Sequence, residues 1–302
     1  MKKSSKIMLV VMLLVVLALG AYAIFKPNDS KDTSTTAKQS GKITIIASTN
    51  VYSEIADKVA GKYGQVSAVI TKQSVSPEDY EPTAKVANEV SQADIALANG
   101  LGYDSWMNKL AKASSSTQLI QVGSDVVKSD DKANPHLWNN PDYMAQTAYY
   151  LADQLAKKDP KHKDYYQDNA KQYEQSLQPV RDMMNRIREE SQGAQVAQTE
   201  TVYQYMLQNL GYNIADEGFA EAIAEGNDPS PAVLSQLQND IKDHKLKFLV
   251  QNTQTTGSTV DHLVKLAKQN DTPIIKVTET IPNHTSYVDW KLSELKQIKA
   301  LY

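Results

Sequence analysis

Short aliphatic runs and amphipathic stretches take turns along most of this chain. Ile43-Thr44-Ile45-Ile46-Ala47 is rich in β-branched residues and predicts a strand, and apolar residues at helical spacing follow over 51–61. Further strands are predicted at 66–70, 95–98 and 119–122, with a helix at 83–91. The same alternation resumes with strands at 194–198, 248–250 and 274–277. Its helices fall at 201–209, at 231–243 with Ser230 as N-cap and Pro231 in the first turn, at 259–268, and from 287 to the C-terminus. Strands alternating with helices make crossover units, and crossover units make a mostly parallel sheet.

Between the two stretches of alternation runs a longer helical pattern, 163–190. Tyr166, Tyr173, Leu177, Val180, Met184 and Ile187 share one stripe of it. Such a helix is about 40 Å long, more than a small domain needs. A helix hairpin inside a single domain would also produce the stripe, but the restart of alternation favours a strut between two lobes. Pro179 lies inside the pattern and predicts a kink or a break. The expected fold class is therefore α/β, with two lobes, each a mostly parallel sheet flanked by helices, bridged by one long α-helix. The expected boundaries are 42–160 for the N-terminal lobe, 161–192 for the bridge and 193–302 for the C-terminal lobe.

The first residues have a different character. Lys2, Lys3 and Lys6 precede an apolar run over 7–25, and Ala21-Tyr22-Ala23 has the small-x-small form of a cleavage site. Residues 1–25 read as a signal peptide or an N-terminal membrane anchor, since the run is about long enough to span a bilayer. Either reading implies export. The polar stretch 26–41, rich in Ser and Thr, reads as a flexible tether.

Charge and composition narrow the partners. The sequence carries 32 basic and 35 acidic residues, a formal charge of −3. Setting aside residues 1–41, with six basic and two acidic, leaves 26 against 33, a net −7. An acidic body of this kind argues against nucleic acid and suits cations. Cysteine is absent, which excludes disulfides, thiolate metal sites and a lipid attached through cysteine. No nucleophile elbow, phosphate-cradling loop or dinucleotide fingerprint occurs, and Gly100-Leu101-Gly102 is too short to count as one.

Ligands of open parallel sheets sit beyond the carboxyl ends of the strands, so the segments that follow the strands deserve inspection. The second strand leads into Ser76-Pro77-Glu78-Asp79-Tyr80-Glu81-Pro82, an acidic loop stiffened by prolines. The fourth leads through a charged loop to Asn134-Pro135-His136-Leu137-Trp138-Asn139-Asn140-Pro141. In the second half, Thr199-Glu200 and Thr278-Glu279 each follow a strand. A carboxylate from each of three of these segments, converging with His136, would make a nitrogen–oxygen site for a divalent cation. His284 is a candidate for the mouth of that site and Asp79 a candidate additional ligand. His162, His244 and His262 lie in helical or charged stretches and read as solvated surface residues.

The string Pro77-Glu78-Asp79-Tyr80-Glu81-Pro82, then Ala93-Asp94, Asn99-Gly100-Leu101-Gly102-Tyr103 and Trp106, resembles the manganese/zinc-type solute-binding proteins of ABC transporters, the long-helix-bridged group. Asn134-Pro135-His136-Leu137-Trp138 is similar to their second ligand loop. Thr199-Glu200 with Tyr205 and Gly211 is similar to the third, and Val277-Thr278-Glu279-Thr280-Ile281 to the fourth. The resemblance spans 42–302. It implies one metal ion held between the lobes by Glu78, His136, Glu200 and Glu279, and its delivery to a membrane permease driven by a cytoplasmic ATPase. It implies an extracytoplasmic, membrane-associated protein at the cell surface, monomeric, without enzymatic activity or catalytic cofactor.

Two positions depart from the family pattern: the first ligand is normally His where this chain has Glu78, and the fourth is normally Asp or His where it has Glu279. One imidazole and three carboxylates form a hard, oxygen-rich shell, which favours Mn²⁺, with Zn²⁺ next and Fe²⁺ a third candidate. The loop 124–133 also lacks the histidines that many zinc importers of the group carry near there. Such a site is expected to lose affinity as pH falls from about 7 to 5, because protons compete for the same lone pairs. Proline-stiffened loops and a helical strut imply small lobe movements. The competing readings are an exported metal-dependent hydrolase and a surface adhesin or receptor for an organic solute.

Overall fold

The computed structural model describes residues 41–215 and 217–302. The leader expected at 1–25, and all but the last residue of the tether expected at 26–41, lie outside the described residues. No helix among the described residues is long and apolar enough to cross a membrane.

Strands β1 (Ile43–Thr49), β2 (Gly64–Ile70), β3 (Ile95–Ala98) and β4 (Gln118–Gln121) form one parallel sheet in the order β2-β1-β3-β4. A second parallel sheet holds β5 (Gln195–Gln198), β6 (Asn213–Ile214), β7 (Leu249–Asn252) and β8 (Ile274–Val277) in the order β6-β5-β7-β8. The two orders are the same: second strand, first, third, fourth. In each sheet the chain reverses its direction of winding between the first and third strands, and such switch points open a crevice at the strands' carboxyl ends.

Residue alternation along the strands sorts the sheet faces. Ile43, Ile45 and Ala47 of β1 and Ile95 and Leu97 of β3 enter one core, while Ile46, Ala96 and Ala98 enter the core on the opposite face. Helices α1 (Asn50–Ala60), α2 (Ala84–Gln92), α3 (Ser105–Lys112) and α4 (Pro141–Lys158) cover this sheet. Helix α4 is absent from the pattern reading, although Asn140 accepts a capping bond from the Asp142 amide and Pro141 occupies its first turn. Its buried stripe interleaves Met144, Leu151 and Leu155 with three alanines (Ala145, Ala148, Ala152) and the polar Thr147 and Gln154, which dilutes the apolar periodicity. The two-residue β6 was likewise missed, because Asn213-Ile214 carries no run of β-branched residues.

The long central helix is two helices, α5 (Lys163–Ser176) and α6 (Gln178–Ser191), meeting at Leu177. Pro179 has no amide hydrogen, so the helical ladder cannot pass through it, and the break falls where the proline predicts. The break also marks a change of core. Tyr166, Ala170, Tyr173 and Leu177 pack with the first sheet, whereas Val180 and Ile187 pack with Val196, Val250 and Val277 of the second.

A second helix makes the same passage. After α7 (Gln204–Asn209), α8 (Glu217–Ala224), α9 (Pro231–Lys242) and α10 (Ser258–Gln269), the C-terminal α11 (Tyr287–Lys299) packs against α6. Its Tyr287 and Trp290 lie in the first core and its Leu295 and Ile298 in the second. The two sheets are therefore joined by two helical segments that each cross between the cores, and residues 41–302 pack as one unit.

Leu177 sits fully buried at the joint. Leu177→Ala is expected to lower unfolding free energy by about 2–5 kcal/mol through the cavity it leaves. Urea denaturation of the metal-free protein measures this, and a loss below about 1 kcal/mol would show that the joint repacks freely.

Candidate metal centre

His136 sits in the loop between β4 and α4 and is 1% exposed. Its orientation is set by Asn134. The Asn134 side-chain amide donates to the Thr201 carbonyl at 2.8 Å and to Gln204 Oε1 at 2.9 Å, so its own oxygen must face the histidine. That oxygen accepts from the His136 amide at 2.9 Å and from Nδ1 at 2.8 Å. With the proton on Nδ1, the lone pair is on Nε2. Nε2 is buried and has no hydrogen-bond partner. A buried polar atom left unpaired costs about 1–3 kcal/mol, and a histidine whose other nitrogen is held by a fixed acceptor is the usual form of a metal ligand. Burial holds the imidazole pKa down to about 4, with Glu200 pulling the other way. The rings of Tyr103 and Trp138 pack edge-on against it at 5.9 and 5.3 Å between centroids.

The second sheet contributes two carboxylates. Glu200 follows β5 at the switch point and Glu279 follows β8. Between them stands Asn252, the buried last residue of β7, whose amide nitrogen donates to Glu200 Oε2 at 2.8 Å and to Glu279 Oε1 at 2.6 Å. The Thr255 hydroxyl also donates to Glu200 Oε2. The Tyr103 hydroxyl reaches Glu279 Oε2 at 3.3 Å from the other sheet. Tyr103 is delivered there by a tight turn in which Gly100 and Gly102 adopt φ of 80° and 88°, a region open to glycine at no steric cost. Buried Asp104 holds that turn through the amides of Asn99 and Gly100, at 2.7 and 2.9 Å.

Glu78 comes from the loop after β2. Trp106 Nε1 donates to the Pro77 carbonyl at 3.0 Å and the Tyr80 ring packs on Trp106 at 4.9 Å, which pins the loop on both sides of Glu78. Glu78, Asp79, Glu200 and Glu279 face a cleft of about 770 Å³, whose wall also includes Gln254 and Thr255.

Electrostatics shows how closely these groups meet. Burial first, and then the charges of Glu200 and Asp79, push the Glu78 carboxyl up to about 7. Glu78 still faces solvent at the cleft mouth, which screens part of that push. Burial and the Glu200 charge push Glu279 to about 7 as well, with the Asn252 and Tyr103 hydrogen bonds opposing. The three glutamates thus lie within electrostatic range of one another and His136 within range of Glu200, while His136 is buried rather than lining the cleft. Among the described residues, no three His, Asp or Glu side chains are gathered tightly enough to hold one metal ion as they stand. Oxygens of Glu200 and Glu279 accept hydrogen bonds from Asn252, Thr255 and Tyr103.

A family model described as zinc-uptake complex component A, periplasmic (ZnuA) matches residues 45–301. The chain belongs to this family. The manganese-binding lipoprotein MntA of Halalkalibacterium halodurans is 24% identical to it over 257 residues, covering 82% of this chain and 81% of the relative. The manganese ABC transporter substrate-binding lipoprotein PsaA of Streptococcus pneumoniae is 24% identical, covering 97% and 98%. A Mn-bound periplasmic metal binding protein of Candidatus Liberibacter asiaticus shares the fold with a TM-score of 0.71 at 18% identity, over 86% of this chain and all of that one.

Other expectations for this family member fared differently. His284 is exposed, with a left-handed backbone, and is not part of the cleft wall. His162 is more than a solvated residue: it stacks on Tyr63 at 3.6 Å and bonds Asp159 at 2.5 Å. His244 and His262 are exposed, as expected. Tyr103, Asn134, Asn252 and Thr255 escaped the sequence reading as site residues. One signal was available for Asn252, since Asn99 and Asn252 end or directly follow the third strand of each sheet.

The carboxyl shifts predict how the metal-free protein responds to pH. Between about 4.5 and 7 the folded state binds more protons at Glu78 and Glu279 than the unfolded state does, so stability rises as pH falls through that window. His136 acts oppositely between its ordinary 6.5 and about 4, where the unfolded state binds the extra proton. From about pH 7.5 to 6.5 the two carboxyls take up more protons in the folded state than the unfolded His136 gains, so their effect prevails. Thermal melts in chelator are expected to show a higher midpoint at pH 6.5 than at pH 7.5, and Glu279→Gln to flatten that slope. A variant with the parent's slope would refute the assignment to Glu279.

Proposed function

We propose that the protein is the extracytoplasmic solute-binding component of an ABC importer, capturing one divalent transition-metal ion and passing it to the membrane permease. The observation that carries this reading is the buried, unpartnered Nε2 of His136, held in its ligand tautomer within electrostatic range of Glu200. Glu78 and His136 would bind from the first lobe, 42–160, and Glu200 and Glu279 from the second, 193–302, with 161–192 as the strut. The family description names zinc and the two relatives' names give manganese. A shell of one imidazole and three carboxylates is harder than a histidine-rich one, so Mn²⁺ is favoured over Zn²⁺, with Fe²⁺ third. Those relatives are named lipoproteins, whereas this sequence has no cysteine to carry a lipid. The apolar run 7–25, if it is retained rather than cleaved as a signal peptide, would supply the attachment to the membrane, on the outer side. The carrier acts as a monomer and performs no catalysis.

Capture follows from charge. Near neutral pH, Glu78 and Glu279 hold protons for part of the time, and an arriving cation displaces them. When the ion leaves, protons and the Asn252, Thr255 and Tyr103 donors take up the carboxylate charge again. Affinity should therefore fall between pH 7.5 and 5 through the carboxyls. His136, held down to about 4, stays neutral over that range and contributes little, which revises the expectation that it shares in the effect.

Elemental analysis of protein purified without chelator, followed by calorimetry, tests the reading. One ion per chain is expected, with His136→Ala weakening Mn²⁺ binding more than about 100-fold, beyond the effect of losing a supporting residue. Glu78→His is expected to shift preference toward Zn²⁺. Protein free of metal that binds an organic solute instead would overturn the proposal, and unchanged selectivity in Glu78→His would refute the role given to that residue.

A further inference from the structure

Lys291 and Glu294 of α11 are 0% and 2% exposed, and their side chains pair at 2.8 Å. They lie away from the cleft, and the metal-binding reading leaves them without a task. Burying two charges is costly, and an apolar pair of similar volume commonly serves stability as well or better. Burial drives Lys291 down and Glu294 up, each held back by the other, so neither charge is comfortable alone. Stability is therefore a poor explanation for the pair.

Its hydrogen bonds offer a better one. Lys291 Nζ donates to Asn139 Oδ1 at 2.6 Å, three residues beyond His136. The Asn139 amide nitrogen donates in turn to the Val202 carbonyl at 2.6 Å, two residues beyond Glu200. The other Glu294 oxygen accepts from the Thr278 amide at 3.4 Å, immediately before Glu279. The same helix reaches the histidine loop again through the Tyr287 hydroxyl, which donates to the Trp138 carbonyl at 2.7 Å. The buried pair thus bonds the His136 and Glu279 segments directly and reaches the Glu200 segment through Asn139.

We propose that Lys291 and Glu294 are positioning residues that hold the His136, Glu200 and Glu279 loops in register for a shared metal ion. This rests on the functional reading above. The Glu78 loop, pinned separately by Trp106, is outside the connection. Hydrogen bonds from a fixed pair constrain both distance and direction, whereas the hydrophobic effect is non-directional.

The test uses Lys291→Met/Glu294→Leu, which removes both charges together, and Asn139→Ala, which cuts the link while leaving the pair. Each is melted in chelator, titrated with Mn²⁺ by calorimetry, and examined by electron paramagnetic resonance of bound Mn²⁺. The double variant is expected to stay folded with a midpoint near the parent's, to bind Mn²⁺ about 10- to 100-fold more weakly, and to give a broadened Mn²⁺ spectrum. Asn139→Ala is expected to weaken binding in the same range, with a combined loss smaller than the sum of the two, because both variants cut the Lys291–Asn139 bond. Parent affinity and spectrum in the folded double variant would overturn the inference. If that variant does not fold, parent affinity in Asn139→Ala overturns it instead. Failure of the unaltered protein to bind Mn²⁺ or Zn²⁺ would overturn the functional reading and this inference with it.

Discussion

Three carboxylates kept close together without a cation between them repel one another, and each has been partly withdrawn from water. Much of the architecture around the cleft answers that one difficulty. Asn252 divides its two amide hydrogens between Glu200 and Glu279, Thr255 adds a hydroxyl to the first and Tyr103 a hydroxyl to the second. Protons supply the remainder, since Glu78 and Glu279 are both raised to about 7. The result is a set of carboxylates whose charge is met by internal hydrogen-bond donors and by protons. A cation then competes against those hydrogen bonds, which suits a carrier that must also release its cargo.

Such an arrangement requires a stiff frame, because a shift of an ångström would separate the groups. The frame is two sheets of identical strand order whose carboxyl ends supply the loops. Two helical segments cross between the cores, α5–α6 with its break at Leu177 and α11 at the C-terminus. Two crossings constrain twisting as well as bending, which a lone strut would not. Further ties run across the cleft: Asn50 exchanges hydrogen bonds with the backbone of Ile281, and Gln254 donates to the Gln73 carbonyl at 2.7 Å. Rotation of a few side chains is a smaller step for this frame than separation of its halves.

The substitutions that set this chain apart from the usual family pattern belong to the same balance. Placing Glu at 78 and 279 raises the negative charge that the empty-handed carrier must accommodate, and the raised carboxyl pKa values are the visible consequence. A buried imidazole such as His136 is, by contrast, already neutral at physiological pH.

Much of this was legible along the chain. The β-branched runs and their alternation with helical spacing determined the two parallel sheets, Pro179 determined the break in the central helix, and the residues following the strands included all four candidate ligands. These are local properties: strand propensity, a missing amide hydrogen and the rule that parallel strands share one end. What the tertiary structure alone decided was which polar side chains face one another. Asn252, Tyr103, Asn134 and the Lys291–Glu294 pair look like ordinary polar residues in sequence, because their meaning lies in hydrogen bonds to segments 27 to 176 residues away. Hydrogen bonds and charge interactions are short-ranged in space and indifferent to sequence separation, so the tautomer of His136, the protons on Glu78 and Glu279 and the second crossing helix exist only once the chain has folded.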